Sequence, residues 1–200
     1  MATMSDVTRR DTLQILAGIP LLAAGLSPRT IVRGVEASRR ARESGSPYTP
    51  VFFTRHEYET VVVLADLIIP RDDRSGSASD AAVPEFIDYI VGYEQNMQTP
   101  TRGGLAWLDY ECQERFGQPL LGASDAQRRA VLDDIAWPKK ARPEMSQGVA
   151  FFNDFRDLTA SGFFSSRMGV TDLQYLGNTV VPEWKGCPPA ALEMLGVSYD

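Results

Sequence analysis

TRHEYETVVVLADLIIP, residues Thr54–Pro70, decides the fold. Thr54 and Glu57 stand three apart, the spacing of a capping box, in which the threonine oxygen accepts from the third backbone N–H and the glutamate reaches back. Behind them Val61, Leu64, Ala65 and Ile68 recur at helical spacing until Pro70 ends the run. The stretch predicts a helix with one buried face.

The same grammar repeats on either side. Ser124-Asp125-Ala126-Gln127 forms a second capping box ahead of Val131, Leu132 and Ile135, and Pro138 closes that helix. Val83-Pro84-Glu85-Phe86 starts a helix through Tyr93. Gly103 to Phe116 forms another, ended by Gly117 and Pro119, with Leu105, Leu108 and Cys112 on one face. Ser146 to Ala160 places Phe151, Phe155 and Leu158 at i, i+4 and i+7. Pro188-Pro189 leads into a last helix from Ala190 to Leu195. No stretch joins strict alternation to hairpin turn chemistry. The expected architecture is all-α, an irregular bundle of about six helices with a long aromatic-rich C-terminal connection from Gly162 to Cys187.

Charge divides the 200 residues into two parts. Residues 1–42 hold 7 basic and 3 acidic side chains, and residues 43–200 hold 13 and 23, so a basic leader precedes a markedly acidic body. An acidic body without a basic stripe lacks the footprint that a polyanion requires, which argues against nucleic acid as a partner. One histidine, His56, and two cysteines outside any CxxC spacing cannot supply a multi-ligand zinc, haem or iron–sulfur site. No catalytic, cofactor-binding or metal residue is expected in this chain.

The leader reads TRRDTLQILAG from Thr8, followed by an apolar run, Ile15 to Leu26, that Gly18, Pro20 and Gly25 interrupt. Twelve residues of helix rise about 18 Å, short of the roughly 30 Å hydrocarbon core. A charged start, a moderate apolar middle and small residues are the layout of an export signal, and Arg9, Arg10 and Leu13 match the twin-arginine pattern. That route carries proteins already folded. Removal could occur after Val35-Glu36-Ala37 or around Ala23 to Gly25. The expected organisation is signal and basic leader over 1–37, linker over 38–50 and helical domain over 51–200. Ser27 to Ser46 reads as connector or as a short exposed helix.

Other candidates read more weakly. His56 with a serine and a carboxylate would make an exported hydrolase, yet no GxSxG elbow exists and the histidine falls in a first helical turn. Asp72 to Asp80 alternates oxygen donors around Gly76 as a calcium loop does, but Arg74 stands inside it and no closing glutamate follows, so a solvated loop is expected. Gly103-Gly104 suits close packing. Asp133-Asp134 and Asp109-Tyr110-Glu111 read as solvated faces.

Cys187 could pair with Cys112, closing a loop of about 75 residues worth about 4 kcal/mol by chain entropy. Alternatively Cys112 is a buried thiol and Cys187 bonds another chain. Among the aromatics, a helix buries one of Phe151 and Phe152 more readily than both, because consecutive residues diverge around it. Phe151, Phe152, Phe163, Phe164, Tyr175 and Trp184 are therefore the candidate partner surface.

These strings resemble a known family, the small subunit (subunit 3, or gamma) of gluconate 2-dehydrogenase and related membrane-associated sugar and alcohol dehydrogenases. The resemblance is carried by Thr8-Arg9-Arg10, Phe52-Phe53-Thr54, His56-Glu57, Leu64 to Pro70, Val83 to Asp88, Gly103 to Asp109, Phe151-Phe152 and Pro182-Glu183-Trp184 to Gly186-Cys187-Pro188. It implies a non-catalytic partner of a large flavoprotein of the glucose–methanol–choline class, which holds FAD. A c-type cytochrome subunit with haem c would pass electrons onward. It also implies engagement of the twin-arginine translocase, periplasmic location, and membrane association through the complex.

Overall fold

The computed structural model describes residues 26–175, 183 and 186–199; the leader, including Arg9, Arg10 and Leu13, lies outside them, as does Trp184. Among the described residues every regular element is helical. They are α1 (Pro28–Glu43), α2 (Arg55–Ile68), α3 (Val83–Tyr93), α4 (Gln95–Phe116), α5 (Asp125–Ala136), a 3-10 turn (Pro143–Met145), α6 (Ser146–Ser165), α7 (Arg167–Asp172) and α8 (Pro189–Leu195). The all-α bundle matches expectation.

Both capping boxes form. Thr54 Oγ1 accepts from Glu57 N while Glu57 receives Thr54 N, and Ser124 and Gln127 repeat the exchange at α5. α2 buries Thr60, Val61, Leu64 and Ala65, the face that spacing assigned.

α6 is the central element and touches α1 to α5 and α7. That position explains a departure from expectation: Phe151 and Phe152 are both buried, at 7% and 8% exposure, because different neighbours cover adjacent faces of the helix. α6 also continues through Ser165, with Phe163 at 1% exposure, and α7 follows at once. The long aromatic connection therefore begins after these helices rather than at Gly162.

α4 starts eight residues earlier than the glycine pair suggested and carries Pro100 inside it. As the sixth residue of the helix, Pro100 lies past the first four N–H groups that lack intrahelical acceptors, and its missing N–H leaves Asn96 O without its i+4 donor. Gln98 Nε2 bonds Gly92 O across the junction with α3.

The segment read as connector or exposed helix is α1, and it is packed. Ser27 caps it by accepting from Thr30 N, and Leu26 and Ile31, buried at 4% and 2%, stand in the positions of a hydrophobic staple. Thr30, Gly34 and Ser38 continue the buried face against α3. A Cβ on Gly34 would lie 2.7 Å from the Phe86 ring and 2.8 Å from Ile90 Cδ1, so the approach of α1 to α3 needs glycine there. The sequence showed the arginines of α1, and their exposed face obscured the apolar one. α3 is thereby enclosed and buries Val83, Phe86, Ile87, Ile90 and Val91, together with one carboxylate, Asp88.

Candidate functional site

The polar residues singled out in the sequence are occupied in holding helices together. His56 Nε2 meets Asp109 Oδ2 at 2.5 Å, and the other oxygen of Asp109 accepts Leu120 N at 2.9 Å. The pair joins α2, α4 and the turn before α5. Asp109 is the only side-chain partner of His56 among the described residues, so the dyad has no hydroxyl or thiol to activate. Arg115 bridges Glu111 and Asp134 at 2.8 and 2.7 Å and ties α4 to α5. Three of the acids read as solvated are tethers.

The Asp72 to Asp80 loop is ordered by its own carboxylates. Asp72 Oδ1 accepts from Arg74 N and Ser75 N, and Asp80 Oδ2 from Ser77 N, Ser77 Oγ and Arg71. These backbone donors hold both carboxyls below the usual range. Asp66 receives Ser79 N and Oγ, Arg42 donates to Ser79 O, and Arg74 reaches Asp172. The oxygens that suggested calcium face N–H groups and guanidinium ions. Among the described residues no cluster of three or more ligating side chains forms.

A second polar cluster went unnoticed in the sequence. Asp88, at 0% exposure, accepts from Tyr48 Oη (2.7 Å), Val51 N (2.6 Å), Phe52 N (3.0 Å) and Phe53 N (2.9 Å). It thereby fixes the segment that leads into α2. Beside it Tyr48 and Tyr58 stand 5.2 Å apart, and burial together with the neighbouring carboxylates pushes both phenols above their usual range. Burial likewise raises Glu85, whose Oε2 is buried without a hydrogen-bond partner among the described residues. The available signal was Asp88 itself, a charge set between Ile87 and Tyr89 in a helical run rich in apolar residues.

The thiols stand apart from one another's chemistry. Cys112 is fully buried on α4, and burial followed by the Asp109 charge pushes its thiol up. Cys187 is half-buried, and its N–H bonds Tyr199 Oη at 2.8 Å. Both are unpaired in the chain as described.

Of the candidate partner surface, Phe151, Phe152 and Phe163 belong to the core; Phe164 and Tyr175 are half-buried. The open apolar surface is elsewhere. Between α4 and α6 runs a groove of about 490 Å³, floored by Gly104, Phe151, Phe155 and Leu158 and walled by Met97, Pro100 and Trp107. Two glycines set it. A Cβ on Gly104 would fall inside the Phe151 ring contact, and one on Gly148 would lie 2.5 Å from Trp107. Each helix thus receives an aromatic of the other where it has no side chain. A smaller cleft of about 310 Å³ between Leu67, Ile68, Leu132 and Phe152 is rimmed by Arg129 and Arg156.

The described residues therefore define a small all-α domain whose polar groups brace helices and which carries a groove between α4 and α6 floored by apolar side chains. The family model described as Gluconate 2-dehydrogenase subunit 3 matches residues 55–182, and the chain belongs to that family. It is accordingly a subunit of a gluconate 2-dehydrogenase-type complex. No curated protein and no solved structure matches it.

Proposed function

We propose that this chain is the non-catalytic small subunit of a membrane-associated, FAD-dependent sugar or alcohol dehydrogenase. It supplies the twin-arginine export signal and supports folding of the flavoprotein that performs the oxidation. The observation that carries the reading is membership of a dehydrogenase-subunit family in a chain that opens on Arg9-Arg10. Polar side chains committed to bracing, as in the His56–Asp109 tether, support the assignment of chemistry to another chain.

In this reading the large partner holds FAD, a c-type cytochrome subunit accepts the electrons, and the assembly sits on the periplasmic side of the cytoplasmic membrane. Export after folding suits a complex whose flavin must be in place before it crosses.

The test is fractionation of cells carrying Arg9→Lys with Arg10→Lys. Both this chain and a flavoprotein without its own signal are expected to stay in the cytoplasm. Normal periplasmic delivery of the flavoprotein in that variant would overturn the reading.

A further inference from the structure

We propose that the groove between α4 and α6 is the seat of this chain's own apolar leader run up to Leu26, Ile15 to Gly25, which occupies it before export. That the seating precedes export rests on the export reading above; the seating itself does not.

The point where the described chain begins carries the inference. Leu26 is buried at 4%, directly ahead of the Ser27 cap of α1. Four residues on, Thr30 Oγ1 donates to Glu94 Oε1 at 3.4 Å, which places the start of α1 at the junction of α3 and α4. Asn96, Met97 and Pro100, just past that junction, form one end of the groove. The leader therefore departs beside the mouth of an apolar channel, from a residue already in the core.

Length and chemistry agree. The groove follows α4 from Asn96 to Trp107 and α6 from Gln147 to Leu158, about 16 Å on each helix. The eleven residues from Ile15 to Gly25 cover about 16 Å as a helix and more when extended, which matches the length of the groove. The run contains no charged side chain, and Asp154 is the one charged residue of the lining, whose other polar members, Asn96, Thr101 and Gln147, are neutral. An apolar helix laid in an apolar groove is a recurrent mode of recognition. Seating would shield both the run and the exposed parts of Met97, Pro100 and Trp107 from water.

The experiment is disulfide trapping in the full chain, kept in the cytoplasm by Arg9→Lys with Arg10→Lys and freed of the half-buried thiol by Cys187→Ser. Ile19→Cys is combined with Gly103→Cys in the groove, where an added Cβ meets nothing within 4 Å. The control combines Ile19→Cys with Asp125→Cys, an exposed position on α5 outside the groove. Under mild oxidation the groove pair is expected to close within one chain at least tenfold faster than the control, at a rate independent of protein concentration. Ala150→Cys on the opposite wall replaces Gly103→Cys if the latter misfolds. Equal rates for the two pairs, or closure only between chains with a rate that rises with concentration, would overturn the proposal. The second result would give the groove to another copy.

Discussion

Removing the Asp88 carboxylate is the most searching perturbation of this fold. In Asp88→Ala three backbone donors, on Val51, Phe52 and Phe53, lose their acceptor along with the Tyr48 hydroxyl. A stranded buried donor costs about 1–3 kcal/mol, and partial rehydration of the segment before α2 leaves a total of about 3–6 kcal/mol. For a chain of this length the melting temperature falls about 2–4 °C per kcal/mol, so a loss of about 6–24 °C is expected. Tyr48→Phe deletes a single bond to a charged acceptor, worth about 1.5–3 kcal/mol, and should lose about 3–12 °C. Asp88→Asn falls between, since its amide retains an oxygen but turns an N–H₂ toward donors. Thermal and urea melts followed by circular dichroism at 222 nm supply the ranking. An Asp88→Ala protein within about 1 kcal/mol of the parent would refute the assignment of Asp88 as the anchor of this segment.

Four further outcomes are expected. Gly104→Ala places a methyl inside the Phe151 ring contact, so it should cost about 1–3 kcal/mol in a urea melt. Glu85→Gln should raise stability at pH 8 and lose that advantage at pH 4: burial raises the folded carboxyl above its unfolded value, so its protonated form favours folding at low pH and its ionised form disfavours it as pH rises. Melts at the two pH values decide this. By the same sign rule, the raised Tyr48 and Tyr58 phenols make stability fall as pH climbs past about 10, where the unfolded phenols ionise first, and Tyr58→Phe should flatten that decline. His56→Ala, removing a half-exposed tether, should cost no more than about 1 kcal/mol in the same melt.

Local signals were legible where they were self-contained. The two capping boxes needed only residues three apart, and both helices begin where those residues stand. The start of α4 was hidden because the glycine pair looked like a helix boundary, whereas within the helix Gly104 packs against Phe151 of α6. α1 was harder, since its apolar positions are few and small, and Gly34 counts as packing only once Phe86 is opposite. The groove could not be read at all, because it arises where two helices exchange aromatics for glycines across 44 residues of sequence, Gly104 to Gly148. Asp88 gave a visible anomaly, a charge in a run rich in apolar residues, without revealing that backbone N–H groups were its partners.

The staple at the start of α1 also bears on maturation. Proteolysis after Ala37 would sever α1 in mid-course, detach Ile31 and Gly34 from α3, and uncover Phe86 and Ile90. A cut among Ala23 to Gly25 leaves Leu26, Ser27 and every described helix whole. If the leader is removed, an N-terminus within a few residues of Leu26 is thus the one compatible with the packed body, and sequencing the N-terminus of the protein isolated from its native cells by Edman degradation or mass spectrometry would locate it.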